Sequence, residues 1–141
     1  MTVAGTLFNK LLRVCGKRVV DSASNRKEFV DNGTLFPVPN IGQEMYLFPV
    51  TRRLTGDEAE DAYASFGLEA AGWEELALAN DANPAMASER PNATQWRDRG
   101  RWCYITFSEP GENYLLRAGK VDRWDPGWWL AGRPIKWDEY R

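Results

Sequence analysis

Arg101-Trp102-Cys103-Tyr104-Ile105-Thr106-Phe107 decides the fold class of this 141-residue chain. Its β-branched and aromatic residues, with little charge among them, have the composition of a central strand. Ser108-Glu109-Pro110-Gly111-Glu112 follows, and proline then glycine fit positions i+1 and i+2 of a type II turn. Asn113-Tyr114-Leu115-Leu116-Arg117 supplies a returning arm, so 101–117 is predicted as a β-hairpin.

Upstream of the hairpin lies the clearest helix, residues 55–66. Thr55 and Glu58 form an S/T-x-x-E capping box, and Asp57 and Glu58 complement the positive end of the helix dipole. Ala59, Ala62, Tyr63 and Phe66 share one face, with Asp57, Glu58, Glu60 and Asp61 on the other. Gly67 is placed to end the helix. A second helix is predicted over 69–80, with Trp73, Leu76 and Ala77 inward and Glu69, Glu74 and Glu75 outward. Residues 81–95 read as loop, because Asn83-Pro84 and Arg90-Pro91-Asn92 break regular structure.

The flanking segments are less regular. Leu7, Leu11 and Val14 have helical spacing and predict a short helix over 6–14. Residues 21–34 are polar and end in the turn signal Asp31-Asn32-Gly33. Pro37, Pro39 and Pro49 make 35–50 extended or edge-strand, with Met45-Tyr46-Leu47-Phe48 the best strand there. Near the C-terminus, Asp125-Pro126-Gly127 is a turn flanked by Trp124, Trp128 and Trp129. The expectation is an α+β fold: a single domain over 1–141, with a small antiparallel sheet of three to five strands packed by two or three short helices.

Composition sets limits on chemistry. The chain has no histidine, so histidine-based catalysis and histidine metal ligation are excluded. Cys15 and Cys103 sit in apolar runs outside any CxxC motif and read as free thiols of a reducing compartment. GxSxG, Walker, HExxH and GxGxxG signatures are missing, and no carboxylate pair is spaced across an evident cleft, so no catalytic or metal residue is assigned and no cofactor is expected. The N-terminus has no basic region before its apolar residues, and no apolar run reaches the ~18 residues of a membrane span. A cytoplasmic protein without a membrane partner is the expectation, and oligomeric state is left open.

Charge is distributed unevenly. The formal net charge is −2, yet residues 54–95 hold nine carboxylates against one arginine, Arg90. Near-neutral overall charge argues against direct nucleic-acid binding, which draws its affinity from phosphate neutralisation. The acidic block reads either as the solvated face of two helices or as a surface complementary to a basic partner, with Asp57, Glu58, Glu60, Asp61, Glu74 and Glu75 as its contact residues. Seven tryptophans are the second unusual feature. Trp102 and Tyr114 read as core. Trp124, Trp128 and Trp129 are the candidate interface anchors, because adjacent residues of an extended segment face opposite ways. Arg97, Arg99 and Arg101 alternate as on one strand face, where pairing with the acidic helices is favoured over phosphate contact.

A small, acidic, tryptophan-rich chain without motifs resembles the general profile of phage or mobile-element proteins that block host defence machinery, such as anti-CRISPR proteins. The resemblance is one of profile and transfers no residue. It implies a non-enzymatic inhibitor whose acidic helix occupies the basic groove of a nucleic-acid-binding complex. The alternatives are a small-ligand protein that closes its C-terminal aromatics over a nucleotide-like molecule, and an assembly protein.

Overall fold

A computed structural model describes residues 22–108, 113–117 and 123–135, with the backbone alone at 22–25 and 113–117. The helix expected at 6–14, the turn at 109–112, Cys15 and the side chain of Tyr114 lie outside the described residues. Along the chain run α1 (Ser22–Asp31), β1 (Phe36–Pro37), β2 (Tyr46–Pro49), α2 (Gly56–Ser65), β3 (Leu68–Ala70) and α3 (Trp73–Ala82). Then follow α4 (Met86–Glu89), β4 (Asn92–Asp98), β5 (Arg101–Ser108), β6 (Asn113–Arg117) and β7 (Trp129–Pro134).

The β5–β6 hairpin is present, with Tyr104 opposite Arg117 and Ser108 opposite Asn113. The sheet around it is larger than the expected three to five strands and is not purely antiparallel. Its path is β1-β2-β7-β4-β5-β6, with β3 joined to β7 off that path. One edge of β7 pairs antiparallel with β2 over Trp129–Gly132. The other edge is shared. Trp129 and Leu130 pair with Asn92 and Ala93 of β4, in parallel. Gly132, Arg133 and Pro134 pair with Ala70, Glu69 and Leu68 of β3, antiparallel. Strand β4 therefore leaves β7 after Ala93, and β3 takes its place.

Helices cover both faces of the sheet. Leu76 and Ala79 of α3, and Met86 and Ala87 of α4, pack with Leu47, Ile105, Phe107 and Ala131 on one face. Ala59 and Tyr63 of α2, and Phe29 and Val30 of α1, pack with Phe48, Ala93, Leu130 and Trp124 on the other. Adjacent Leu47 and Phe48 thus serve opposite cores, as do Leu130 and Ala131. Covering both faces is what makes these strands read as continuous apolar runs rather than alternating ones. Phe48 meets Tyr63 edge to face at 5.0 Å and Phe66 in a tilted contact at 4.9 Å, which seats α2 on the sheet.

Helix α2 starts as its sequence dictates. Glu58 N–H donates to Thr55 Oγ1 at 3.1 Å, and Thr55 N–H donates to Glu58 Oε1 at 2.9 Å. It stops at Gly67, whose φ of 71° suits a residue without a Cβ. Two expectations are corrected, and one helix is added to them. The polar stretch 21–34 contains helix α1, which closes through the expected turn at Asn32-Gly33. Residues 68–70 are strand, so the second helix begins at Trp73 and extends to Ala82. The predicted loop at 81–95 holds the end of α3, all of α4 and the first half of β4.

Strand β4 shows no apolar periodicity because three of its four buried residues are polar. Asn92, Thr94 and Gln95 are all buried, and each reaches a different element. Asn80 and Asn92 exchange amide hydrogen bonds of 2.8 and 3.1 Å. Thr94 Oγ1 donates to the Ala71 carbonyl at 2.7 Å. Gln95 Nε2 donates to the Gly56 carbonyl at 2.9 Å, while its Oε1 accepts from Trp124 Nε1 at 2.8 Å. These side chains fasten α3, the β3–α3 link, the start of α2 and Trp124 to one strand. Buried amides with their partners satisfied cost little and fix geometry.

Candidate functional site

Where β4 parts from β7, the sheet opens into a cleft of about 650 Å³. Asp57, Glu60 and Asp61 of α2 line it, with Glu69 and Ala70 of β3 and the Ala71–Trp73 link. Gln95, Trp96 and Arg97 of β4, Trp102 of β5 and Arg133 of β7 complete it. The cleft thus joins three indoles to four carboxylates and two guanidinium groups. Arg133 is already committed, bonding Glu69 at 2.9 Å and Glu75 at 2.8 Å.

Trp102 is held at one end of the cleft by the start of α2. Its Nε1 donates to Asp57 Oδ1 at 3.0 Å. Gly56 is buried, and a Cβ at that position would overlap the Trp102 ring, so only glycine lets the indole sit there. The β4–β5 turn sets what lies above it. Arg99 and Gly100 both have positive φ, 53° and 79°, as a two-residue type I′ hairpin requires. That turn places Arg97 directly opposite Trp102, and the Arg97 guanidinium carbon lies over the indole at 5.0 Å from its centroid. Trp73, in the first turn of α3, is 41% exposed at the cleft.

The acidic candidates divide between those that line the cleft and those that do not. Asp57, Glu60 and Asp61 reach the cleft together. Asp57 and Asp61 are exposed and one helical turn apart, which puts their side chains on one face. Glu58 does not reach it. Its carboxylate caps α2 and meets Arg52 at 3.5 Å. Accepting the Thr55 amide, with Arg52 alongside, holds the Glu58 carboxyl below its ordinary range. Glu75 accepts from the Gly72 amide at 3.0 Å as well as from Arg133. Glu74 is exposed on α3, away from the cleft.

The aromatic candidates are corrected more heavily. Trp124 is only 4% exposed, with its N–H on Gln95, so it belongs to the core. Trp128 is half-buried against it, with ring centroids 6.2 Å apart. Trp129 is half-buried on the opposite face, where the Arg90 guanidinium lies 5.3 Å from its ring. The two neighbours do face opposite ways, yet each packs onto a core. Trp102, expected in the core, lines the cleft, and Trp73, expected inward, stands at its rim. Two signals mark them. Gly72 and Glu75 have the spacing of a helix start, which puts Trp73 at the first helical position. Arg99-Gly100 between two strand-like runs is a hairpin turn, which sets Arg97 against Trp102. Arg97, Arg99 and Arg101 accordingly do not share one face, since Arg99 is in the turn. Among the described residues, Glu58 pairs with Arg52, Glu89 with Arg90, and Glu69 and Glu75 with Arg133.

Among the described residues no cluster of three or more acidic or thiol groups is set to hold a metal ion, and no helix is long and apolar enough to cross a membrane. Comparison of the chain with protein-family models, with curated proteins and with solved structures gives no match.

Proposed function

We propose that this protein is a non-enzymatic binding protein that engages a basic surface of another macromolecule through the cleft and the adjoining face of α2. The observation that carries this reading is the meeting of Asp57 and Asp61 with Trp73, Trp96 and Trp102 around one opening. Carboxylates fixed on a helix attract and orient a cationic surface, and indoles supply contact area at the centre. A Lys/Arg-rich groove that ordinarily holds nucleic-acid phosphates would meet a similar array of negative charge. The biological form of this reading is an inhibitor of a host nucleic-acid-binding defence complex, of the anti-CRISPR kind.

A nucleotide-like ligand is the second reading. The cleft volume lies within the ~300–1,000 Å³ range of small-molecule sites, and its indoles offer stacking faces. Its carboxylates disfavour a phosphate, however, so an uncharged or cationic flat molecule suits it better. Its place would be the cleft rather than Trp124, Trp128 and Trp129.

Affinity capture from a bacterial lysate, at low and high salt, tests the first reading. The control chain carries Asp57→Lys, Glu60→Lys and Asp61→Lys, leaving the Glu58 cap intact. A stoichiometric partner is expected at low salt, displaced by high salt and by added nucleic acid, and lost by the control. A partner retained equally by native and control chains, or none in either, overturns it. In the latter case ligand-dependent melting becomes the measurement of interest.

A further inference from the structure

We infer that the cleft is a receptor for a guanidinium group, that Arg97 occupies it in the free protein, and that an arginine of the partner displaces Arg97. The inference rests on the reading of the cleft as the site for a basic partner, and it names the contact residue. Three observations carry it. Trp102 has its N–H committed to Asp57 and its ring seated on Gly56, so the indole is fixed before anything binds. A guanidinium already lies over that ring, that of Arg97 at 5.0 Å. Arg97 is itself exposed, so moving it away disturbs no core.

The chemistry of the surroundings selects the same group. Guanidinium is planar and weakly hydrated, stacks on indole, and offers paired donors to carboxylates. Asp57 beside the ring and Asp61 one turn along α2 line the same cleft and give it the opposite charge. A lysine ammonium is a compact, strongly hydrated charge and gains less from the indole. While Arg97 occupies the ring, an incoming arginine must displace it. Arg97 therefore sets a threshold that excludes weakly cationic partners.

Titration of the full chain with N-acetyl-arginine amide tests this, with N-acetyl-lysine amide as the reference and the tryptophan indole N–H resonances as the readout. Saturable shifts at Trp102 and at Trp73 or Trp96 are expected, with the arginine compound binding at least about threefold more tightly than the lysine one. Arg97→Gln should tighten the arginine compound by about threefold or more, because it removes the internal occupant. Arg99→Gln removes the same charge from the neighbouring turn and should change binding far less. Equal binding of the two compounds, equal effects of the two variants, or weaker binding in Arg97→Gln would each overturn the inference. If the inference fails while the charge-reversed chain still loses its captured partner, the binding reading stands without the guanidinium; if capture is also indifferent to reversal, both fall.

Discussion

Trp124 and Trp102 use the same indole in opposite ways. Each donates its N–H to an oxygen acceptor, at 2.8 Å for Trp124 and 3.0 Å for Trp102. For Trp124 the acceptor is the buried amide of Gln95, and its ring meets Tyr104 at 5.8 Å and Trp128 at 6.2 Å inside the core. For Trp102 the acceptor is the exposed carboxylate of Asp57, and the ring borders the cleft beneath Arg97. The two are linked through Gln95, whose amide nitrogen donates to Gly56, the residue on which Trp102 rests. One end of this chain of contacts holds the fold together; the other presents a fixed surface to a partner. Stability and binding should therefore separate along it.

Substitutions along the chain test that separation. Trp124→Ala should cost most, about 3–5 kcal/mol, because it empties a buried aromatic site. Equilibrium denaturation checks this, and a cost near that of an exposed residue would break the comparison at its core end. Gln95→Leu should cost about 1–3 kcal/mol by leaving the Trp124 N–H and the Gly56 carbonyl without their partner. It should also blur the Trp102 indole resonance, since the start of α2 loses its tie to β4. Trp102→Ala should lower stability by only about 1–2 kcal/mol, in the range of ordinary single substitutions, yet weaken a captured partner about tenfold or more. Surface plasmon resonance beside a melting curve reads both quantities.

Smaller effects sharpen the picture at α2. Thr55→Ala removes the cap and should cost about 1 kcal/mol. The companion Glu58 adds a pH dependence of known sign. Its folded carboxyl titrates below the ordinary value of 4.5, so its contribution is present above that value and is lost as pH falls through the folded pKa. Denaturation midpoints followed downward from neutral pH should fall less in Glu58→Gln than in the native chain. Smallest of all, Asp61→Lys should change stability by no more than about 0.5 kcal/mol while weakening the salt dependence of partner binding.

The legible parts of the fold were those where local chemistry and final structure agree. The Thr55–Glu58 box and Gly67 bound α2 within a residue, and β5–β6 pair as their composition suggests. Strand β4 was hidden because Asn92, Thr94 and Gln95 are buried for their hydrogen bonds, and a polar run carries no apolar periodicity. Helix α1 was hidden for a related reason. Its sequence is mostly polar, and its apolar contact with the sheet comes from Phe29 and Val30 near its end. The parallel pairing of β4 with β7, and the transfer of that edge to β3, depend on contacts distant in sequence.

The cleft is only partly legible in the sequence. Of the six acidic residues expected as contacts, Asp57, Glu60 and Asp61 share a helix face and line the cleft, while Glu58, Glu74 and Glu75 lie outside its lining. The tryptophans were misassigned because hydrophobicity alone does not say which indole is buried. Trp124 is drawn inward by the acceptor on Gln95, and Trp102 is held at the surface by the acceptor on Asp57. Trp73 shares a helix face with Leu76, but it is the first residue of α3, at the end of the helix, where it remains 41% exposed.

The most direct test of the central claim is amide hydrogen exchange of the protein, free and bound to its captured partner. Binding at the cleft predicts new protection at residues 57–61, 72–73 and 95–102, with Trp128, Trp129 and the β1–β2 edge unchanged. Protection confined to 128–129 or to the β1–β2 edge, with the cleft segments exchanging as they do in the free protein, would contradict it.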